Sequence, residues 1–220
     1  MREMRILEKG GVLGEGGRDW RNVSQHCLAE AVAGDILAEH LGANRKKIVM
    51  AILLHDWYKR KEVEAMREKG GAAGYATTSG DDERLLAEYG VPDEIIKLAH
   101  SNIPESLDPV YLENRALEEK IMHYVDVITS DTDLTPARER LAKVRKKPNI
   151  AEFLDSFKQQ YFGKALDEAN LLLTDLDGTE FEQKLEISPG TLIDFVKEKL
   201  QERVECYARA SATKIKAVIG

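Results

Sequence analysis

The chain has 220 residues, 43% of them hydrophobic and only 6% aromatic, with a formal net charge of −7 and a pI near 5.4. That length supports one sizeable domain, or one domain with an appendage, and the low aromatic content suits Leu/Ile/Ala-packed helices better than a β-sandwich. The acidity disfavours nonspecific binding to a nucleic-acid backbone but leaves small anionic substrates open, because a metal and local cations can reverse the sign inside one pocket. Cys27 and Cys206 show no CxxC spacing and no disulfide framework, and there is neither a secretory h-region nor an apolar run near 18 residues. A soluble cytoplasmic protein with no membrane partner is expected. Cys27, adjacent to His26, reads as a buried small side chain rather than a ligand, since neighbours on a helix point about 100° apart.

Residues 1–17 carry Gly10, Gly11, Gly14, Gly16 and Gly17. No apolar strand precedes them and no Lys-Ser/Thr pair closes them, so they read as a flexible arm and not as a phosphate-binding loop. From about Val23 to Leu41, the residues Leu28, Val32, Ile36 and Leu37 fall at helical spacing, and Gly42 follows as a stop. A short apolar helix runs from about Arg45 to Asp56, with His55-Asp56 at its C-terminal end, and a charged helix follows near Lys59 to Lys69. Gly70 to Gly80 is a Gly/Ala/Thr/Ser run that reads as a mobile loop, either a lid or simple disorder. Short helices are expected over Asp81–Tyr89 and Asp93–Ser101, the second preceded by Pro92. Leu117, Ile121, Tyr124, Val125 and Ile128 mark a buried stripe from about Arg115 to Ser130, and that helix carries Asp126. Pro136 opens a basic helix to Lys147, Ile150 to Leu173 reads as one long helix, and at least one more lies beyond Ser188. No strand alternation and no internal repeat are visible. The fold class is all-α.

The chemistry concentrates in His26, His55-Asp56 and Asp126. The chain has only five His, and one sits directly before an Asp at the end of an apolar helix. A helix interior would splay two consecutive side chains apart, but at a helix C-terminus both can address one ion. Asp126 lies mid-helix among apolar neighbours, where an unpaired carboxylate is costly and a cation answers that cost. His26 shares a helix face with Ala29, Glu30 and Ala33, and the two alanines there let another helix approach closely. Imidazole plus carboxylate is a borderline ligand set that suits Mn, Fe, Co, Zn or Ni in a site with open positions.

The order and contexts of these residues resemble the HD-domain superfamily of phosphohydrolases. Arg21-Asn22-Val23-Ser24-Gln25-His26 is similar to the first-His segment of its nucleotidase-like members. Ile52-Leu53-Leu54-His55-Asp56-Trp57-Tyr58-Lys59 is similar to the family's "LLHDIGK" element, and Lys120-Ile121-Met122-His123-Tyr124-Val125-Asp126 to its terminal "KI..YAD" element. The resemblance covers about residues 20–145. It implies an HD-domain-like helical bundle over 18–147, with 148–220 as a C-terminal helical extension that packs on it or makes a homodimer. It also implies metal binding by His26, His55, Asp56 and Asp126, and hydrolysis of a phosphate ester or pyrophosphate, usually in a nucleotide. One divalent ion (Mn, Fe, Co, Ni, Zn or Mg) is expected and not two, because no His lies between Asp56 and His100.

In that scheme Asp56 orients or deprotonates the attacking water. Lys59, one turn beyond Asp56, is a candidate phosphate contact, with Arg18 and Arg21 as further candidates. His100 would bind phosphate or protonate the leaving group; the alternative is a helix-end His bonded to backbone. His123 reads as structural. The alternative function is a catalytically silent HD-like module that binds a nucleotide and signals through the C-terminal helices; an oxygenase on a related scaffold would want more histidines before His100.

Two further signals are set aside. Leu171-Leu172-Leu173-Thr174-Asp175-Leu176-Asp177-Gly178-Thr179 resembles the first motif of haloacid-dehalogenase-like phosphatases, but only 41 residues follow Thr179, too few for the remaining parallel sheet. A helix end turning at Gly178 is expected there. The basic run Arg138, Arg140, Lys143, Arg145, Lys146 and Lys147 reads as a solvated helix face.

Overall fold

A computed structural model describes residues 18–69, 80–101, 114–147, 150–158 and 163–219, with side chains described from residue 23 to residue 206 of those segments. The arm at 1–17 and the loop over 70–79 lie outside the described residues. The helices are α1 (Arg18–Leu41), α2 (Arg45–His55), α3 (Lys59–Lys69), α4 (Asp81–Glu88), α5 (Asp93–Ala99), α6 (Leu117–Ile128), α7 (Ala137–Arg145), α8 (Ile150–Asp155), α9 (Leu166–Leu185) and α10 (Leu192–Ile219). One antiparallel hairpin, β1 (Thr129–Ser130) with β2 (Asp133–Leu134), follows α6 directly. Apart from that hairpin the described chain is all-α. No helix among the described residues is long and apolar enough to cross a membrane.

Local chemistry sets the helix ends that position the site. Gly42 takes φ +75, the left-handed conformation that ends α1 without a Cβ penalty. Asn44 then caps α2, its side-chain oxygen accepting from the Lys47 backbone N–H at 3.1 Å. At the other end of α2, Asp56 leaves helical geometry at φ −106, ψ 14, so His55 and Asp56 are released from the 100° splay of a helix interior. α6 starts where Glu119 accepts from the Ala116 N–H at 2.7 Å, and α9 where Glu168 accepts from the Ala165 N–H at 2.8 Å. Each is the backbone-capping half of a capping box, since alanine cannot supply the other half.

α1 packs against α2, α6 and α10 around a core that includes Ile36, Leu37, Ile48, Ile52, Leu54, Trp57 and Ile121, all fully or nearly fully buried. The α1–α2 approach depends on Gly34, where a Cβ would collide with Ile52 Cδ1 and lie 3.1 Å from Ile48 Cγ2. Phe181 of α9 and Leu192 and Val196 of α10 are buried in the same core as α1, α2 and α6. The C-terminal helices are therefore built into the core that carries the site. Arg203 of α10 adds a bond to Asp35 of α1 at 2.6 Å. A smaller apolar cluster of Leu154, Leu166, Ala169 and Leu173 joins α8 to α9, latched by Arg145, which donates to Asp167 at 2.6 Å and to Asp155 at 3.2 Å.

Two sequence expectations are corrected. Ile150–Leu173 is not one helix: α8 ends at Asp155 and α9 begins at Leu166, and Gly163 between them takes φ +85. The chain does not turn at Gly178 either, because α9 runs through it to Leu185. This glycine serves a close approach, since a Cβ there would stand 3.1 Å from the Tyr124 ring of α6.

Candidate metal centre

Three of the residues singled out in the sequence meet where α1, α2 and α6 converge, and a fourth joins them. One ligand atom from each of His26, Glu30, His55 and Asp126 lies within 4.8 Å of all the others. His26 and Glu30 are one turn apart on α1 and so share a face, with Nε2 to Oε1 at 2.7 Å. His55, the last residue of α2, brings its Nε2 to 3.4 Å from the second Glu30 oxygen. Asp126 of α6 places Oδ1 at 3.8 Å from His26 Nε2. Asp56 stands at the rim of this set, Oδ2 at 3.8 Å from His55 Nε2 and Oδ1 at 3.3 Å from Lys59 Nζ.

Both imidazoles are oriented from behind. His55 Nδ1–H donates to the Ile52 carbonyl at 2.7 Å, and His26 Nδ1–H donates to the Asp131 carbonyl at 3.3 Å. Asp131 turns the hairpin at φ +57, so the small β-ribbon serves to present that carbonyl. With Nδ1 holding a proton in each ring, Nε2 is the atom aimed inward. This is the arrangement of metal-ligating histidines, whose other nitrogen is fixed by a backbone or carboxylate acceptor.

Glu30 provides the test of fit. It is completely buried; among the described residues its oxygens are approached by His26 and His55 Nε2, but neither oxygen, nor His55 Nε2, makes a hydrogen bond of acceptable geometry. A buried carboxylate is costly unless a cation answers its charge. Burial accordingly pushes the Glu30 carboxyl above its ordinary range. His26 is raised to about 9: burial opposes its charged form, but the bond to Asp126 and the proximity of Glu30 outweigh it. His55 moves the same way against its own burial, driven by Glu30 and Asp56. Burial would raise Asp126, yet His26 and Arg140 hold it well below the usual carboxylate range. Without a metal, protons on the imidazoles balance the carboxylates. A divalent cation replaces that balance, and two imidazole nitrogens with carboxylate oxygens are a donor set for Mn, Fe, Co, Ni or Zn. The residues fit a metal.

The other expected site residues separate into groups. Lys59 is half-exposed beside Asp56, with Glu62 Oε2 at 3.6 Å from its Nζ; these carboxylates raise its pKa against burial. Arg18 and Arg21 fall in the first turn of α1, but their side chains lie outside the described residues. His100 is buried away from the four-residue set. Its Nδ1–H donates to the Ile96 carbonyl at 2.8 Å and its Nε2 is bonded to Asp82 of α4. With both nitrogens facing acceptors, the ring is a doubly donating clamp between α4 and α5. His123 turns to α9, with Nε2 3.4 Å from Asn170 Oδ1 and Nδ1 3.4 Å from Asp177 Oδ2.

Sequence reasoning did not single out two residues at this site. Glu30 is readable as the partner of His26 at i+4, but only the packed structure shows that face to be fully buried. Arg140, one of the run expected to be solvated, donates from Nη2 to Asp126 Oδ1 at 3.3 Å. The phosphatase-like motif is helical: Asp175 is exposed, whereas Asp177 is buried and accepts from Arg115 at 2.6 Å.

No family model, curated protein or solved structure matches the chain.

Proposed function

We propose that this chain is a metal-dependent phosphohydrolase that cleaves a phosphate ester, with a nucleotide or a related small phosphate as substrate. The observation that carries this reading is the convergence of His26, Glu30, His55 and Asp126 around a completely buried carboxylate whose close contacts are the two imidazole Nε2 atoms. The resemblance of the His26, His55-Asp56 and Asp126 segments to HD-domain phosphohydrolases implies the same chemistry.

His26, Glu30, His55 and Asp126 would hold one divalent ion, with Asp56 beside them. Such an ion supplies Lewis acidity to a phosphoryl oxygen and makes water a usable nucleophile near neutral pH. Asp56 is the base candidate: it is partly exposed at the rim, and against partial desolvation Lys59 and His55 hold its carboxyl below the ordinary range. Lys59 is positioned to neutralise an incoming phosphate, since its ammonium already sits 3.3 Å from Asp56. The Ile52 and Asp131 carbonyls keep the two imidazoles from rotating away.

The test is phosphate release from nucleoside mono-, di- and triphosphates by chelator-stripped protein resupplied with Mn²⁺, Co²⁺ or Mg²⁺. Metal-dependent release that disappears in Asp56→Ala supports the hydrolase. Tight nucleotide binding with no release under any metal overturns it in favour of a silent binding module.

A further inference from the structure

We infer that Arg140 is a phosphate-binding residue of this centre, gripping the phosphoryl group of the substrate through the guanidinium donors that Asp126 leaves unused. The inference rests on the metal reading given above. Glu30, Asp56 and Asp126 bring three carboxylates to one spot, so a bound dication still leaves the set negative when all three are ionised. A phosphate dianion would be repelled by such a set unless cations are fixed at its edge. Lys59 is one, but Glu62 shares its ammonium at 3.6 Å. Among the described residues Arg140, against Asp126, is another.

Arg140 differs from every other cation of the run from Arg138 to Lys147. Arg138, Lys143, Lys146 and Lys147 are exposed, and Arg145 is committed to Asp155 and Asp167. Arg140 keeps only 18% of its side-chain surface exposed and points at Asp126. Its hydrogen bond there is single and, at 3.3 Å, longer than the roughly 2.7–2.9 Å of a strong charge-assisted pair. One of five N–H donors is therefore engaged, and Nη1 and Nε have no partner among the described residues. A planar guanidinium with a free edge matches two phosphate oxygens, which an ammonium cannot do. Lys59 and Arg140 reach the centre through different carboxylates, Asp56 and Asp126, so a phosphoryl group placed against the metal would meet a cation from each.

The experiment is calorimetric titration of inorganic phosphate into Mn²⁺-loaded protein, with Mn²⁺ titrated separately into chelator-stripped protein, for wild type, Arg140→Ala and Arg140→Lys. The expected result is Mn²⁺ affinity within about threefold of wild type in both variants. Phosphate affinity should fall about tenfold or more in Arg140→Ala, the range for losing a hydrogen bond to a charged group, with partial retention in Arg140→Lys. Unchanged phosphate affinity in Arg140→Ala, with Mn²⁺ bound normally, overturns the role of Arg140 alone. A loss of Mn²⁺ affinity that phosphate binding merely follows makes Arg140 a support for Asp126 and also overturns it. Failure of wild type to bind Mn²⁺ removes the metal reading and this inference with it.

Discussion

Substituting Asp177 with alanine strips the carboxylate from a buried guanidinium. The Arg115 and Asp177 side chains are 4% and 2% exposed and meet at 2.6 Å, and Nε and Nη1 of Arg115 have no hydrogen-bond partner among the described residues. Breaking a buried pair by removing one member leaves an uncompensated charge and costs about 3–5 kcal/mol. For a chain of this length each kcal/mol shifts Tm by about 2–4 °C, so Asp177→Ala should melt roughly 6–20 °C lower. Urea unfolding followed by helical circular dichroism gives the free energy directly. Asp175→Ala, at the exposed carboxylate two residues away, should stay within about 0.5 kcal/mol of wild type. The double replacement Arg115→Met with Asp177→Leu should recover most of the loss, because apolar substitution of a whole buried pair is often near neutral. A loss below about 1 kcal/mol for Asp177→Ala, the range of a solvated pair, would refute the burial argument. So would a double variant no better than the single one. The same comparison separates the two acidic residues of the phosphatase-like motif, one structural and one solvated.

Three further outcomes are expected. Gly34→Ala should destabilise by up to about 2 kcal/mol, since overpacking against Ile52 and Ile48 costs about 1–3 kcal/mol and alanine's helix propensity returns only about 1 kcal/mol. Gly178→Ala, against the Tyr124 ring alone, should lose less, and urea unfolding that reversed this ranking would contradict the packing. His100 is raised above its ordinary value, because Asp82 outweighs the burial that opposes its charge. Its contribution is therefore fully present below the ordinary histidine pKa of about 6.5 and is lost as pH rises through the higher folded value. The stability difference between wild type and His100→Gln should shrink from about pH 6.5 upward, and a difference that grew with pH would overturn the clamp. Saturating Mn²⁺ should stabilise wild type by about 2.7 kcal/mol at one hundred times its Kd, and Asp126→Asn should lose most of that gain in a thermal-shift assay.

Much of this architecture was legible because helix periodicity and helix stops are local properties. The stop at Gly42 and the stripe of Ile121, Val125 and Ile128 recur as a chain turn and a buried face; of the apolar spacing in α1, Ile36 and Leu37 are buried, whereas Leu28 and Val32 are exposed. His26, His55 and Asp126 were readable as a group because each lies on such a face, and α1, α2 and α6 have to pack. What was not legible depends on which elements meet. What periodicity alone joins into one helix from Ile150 stops at Asp155 and resumes at Leu166. Gly178 carries the composition of a turn, yet it lies inside α9, where a Cβ would stand 3.1 Å from the Tyr124 ring. Arg140 belongs to a run of six cations, and nothing local distinguishes the one that α7 aims at Asp126. Glu30 looks like any solvated glutamate until α2 and α6 close over its face.

The most direct measurement is the stoichiometry and affinity of Mn²⁺ for the full chain, read by calorimetry for wild type, Glu30→Gln and His55→Gln. Glu30→Gln keeps the volume and removes only the charge that the buried site has to neutralise. One equivalent per chain in wild type is expected, weakened about tenfold or more in each variant. A wild-type chain that binds no Mn²⁺, Co²⁺ or Zn²⁺, or a Glu30→Gln variant that binds as tightly as wild type, would contradict a metal centre at His26, Glu30, His55 and Asp126.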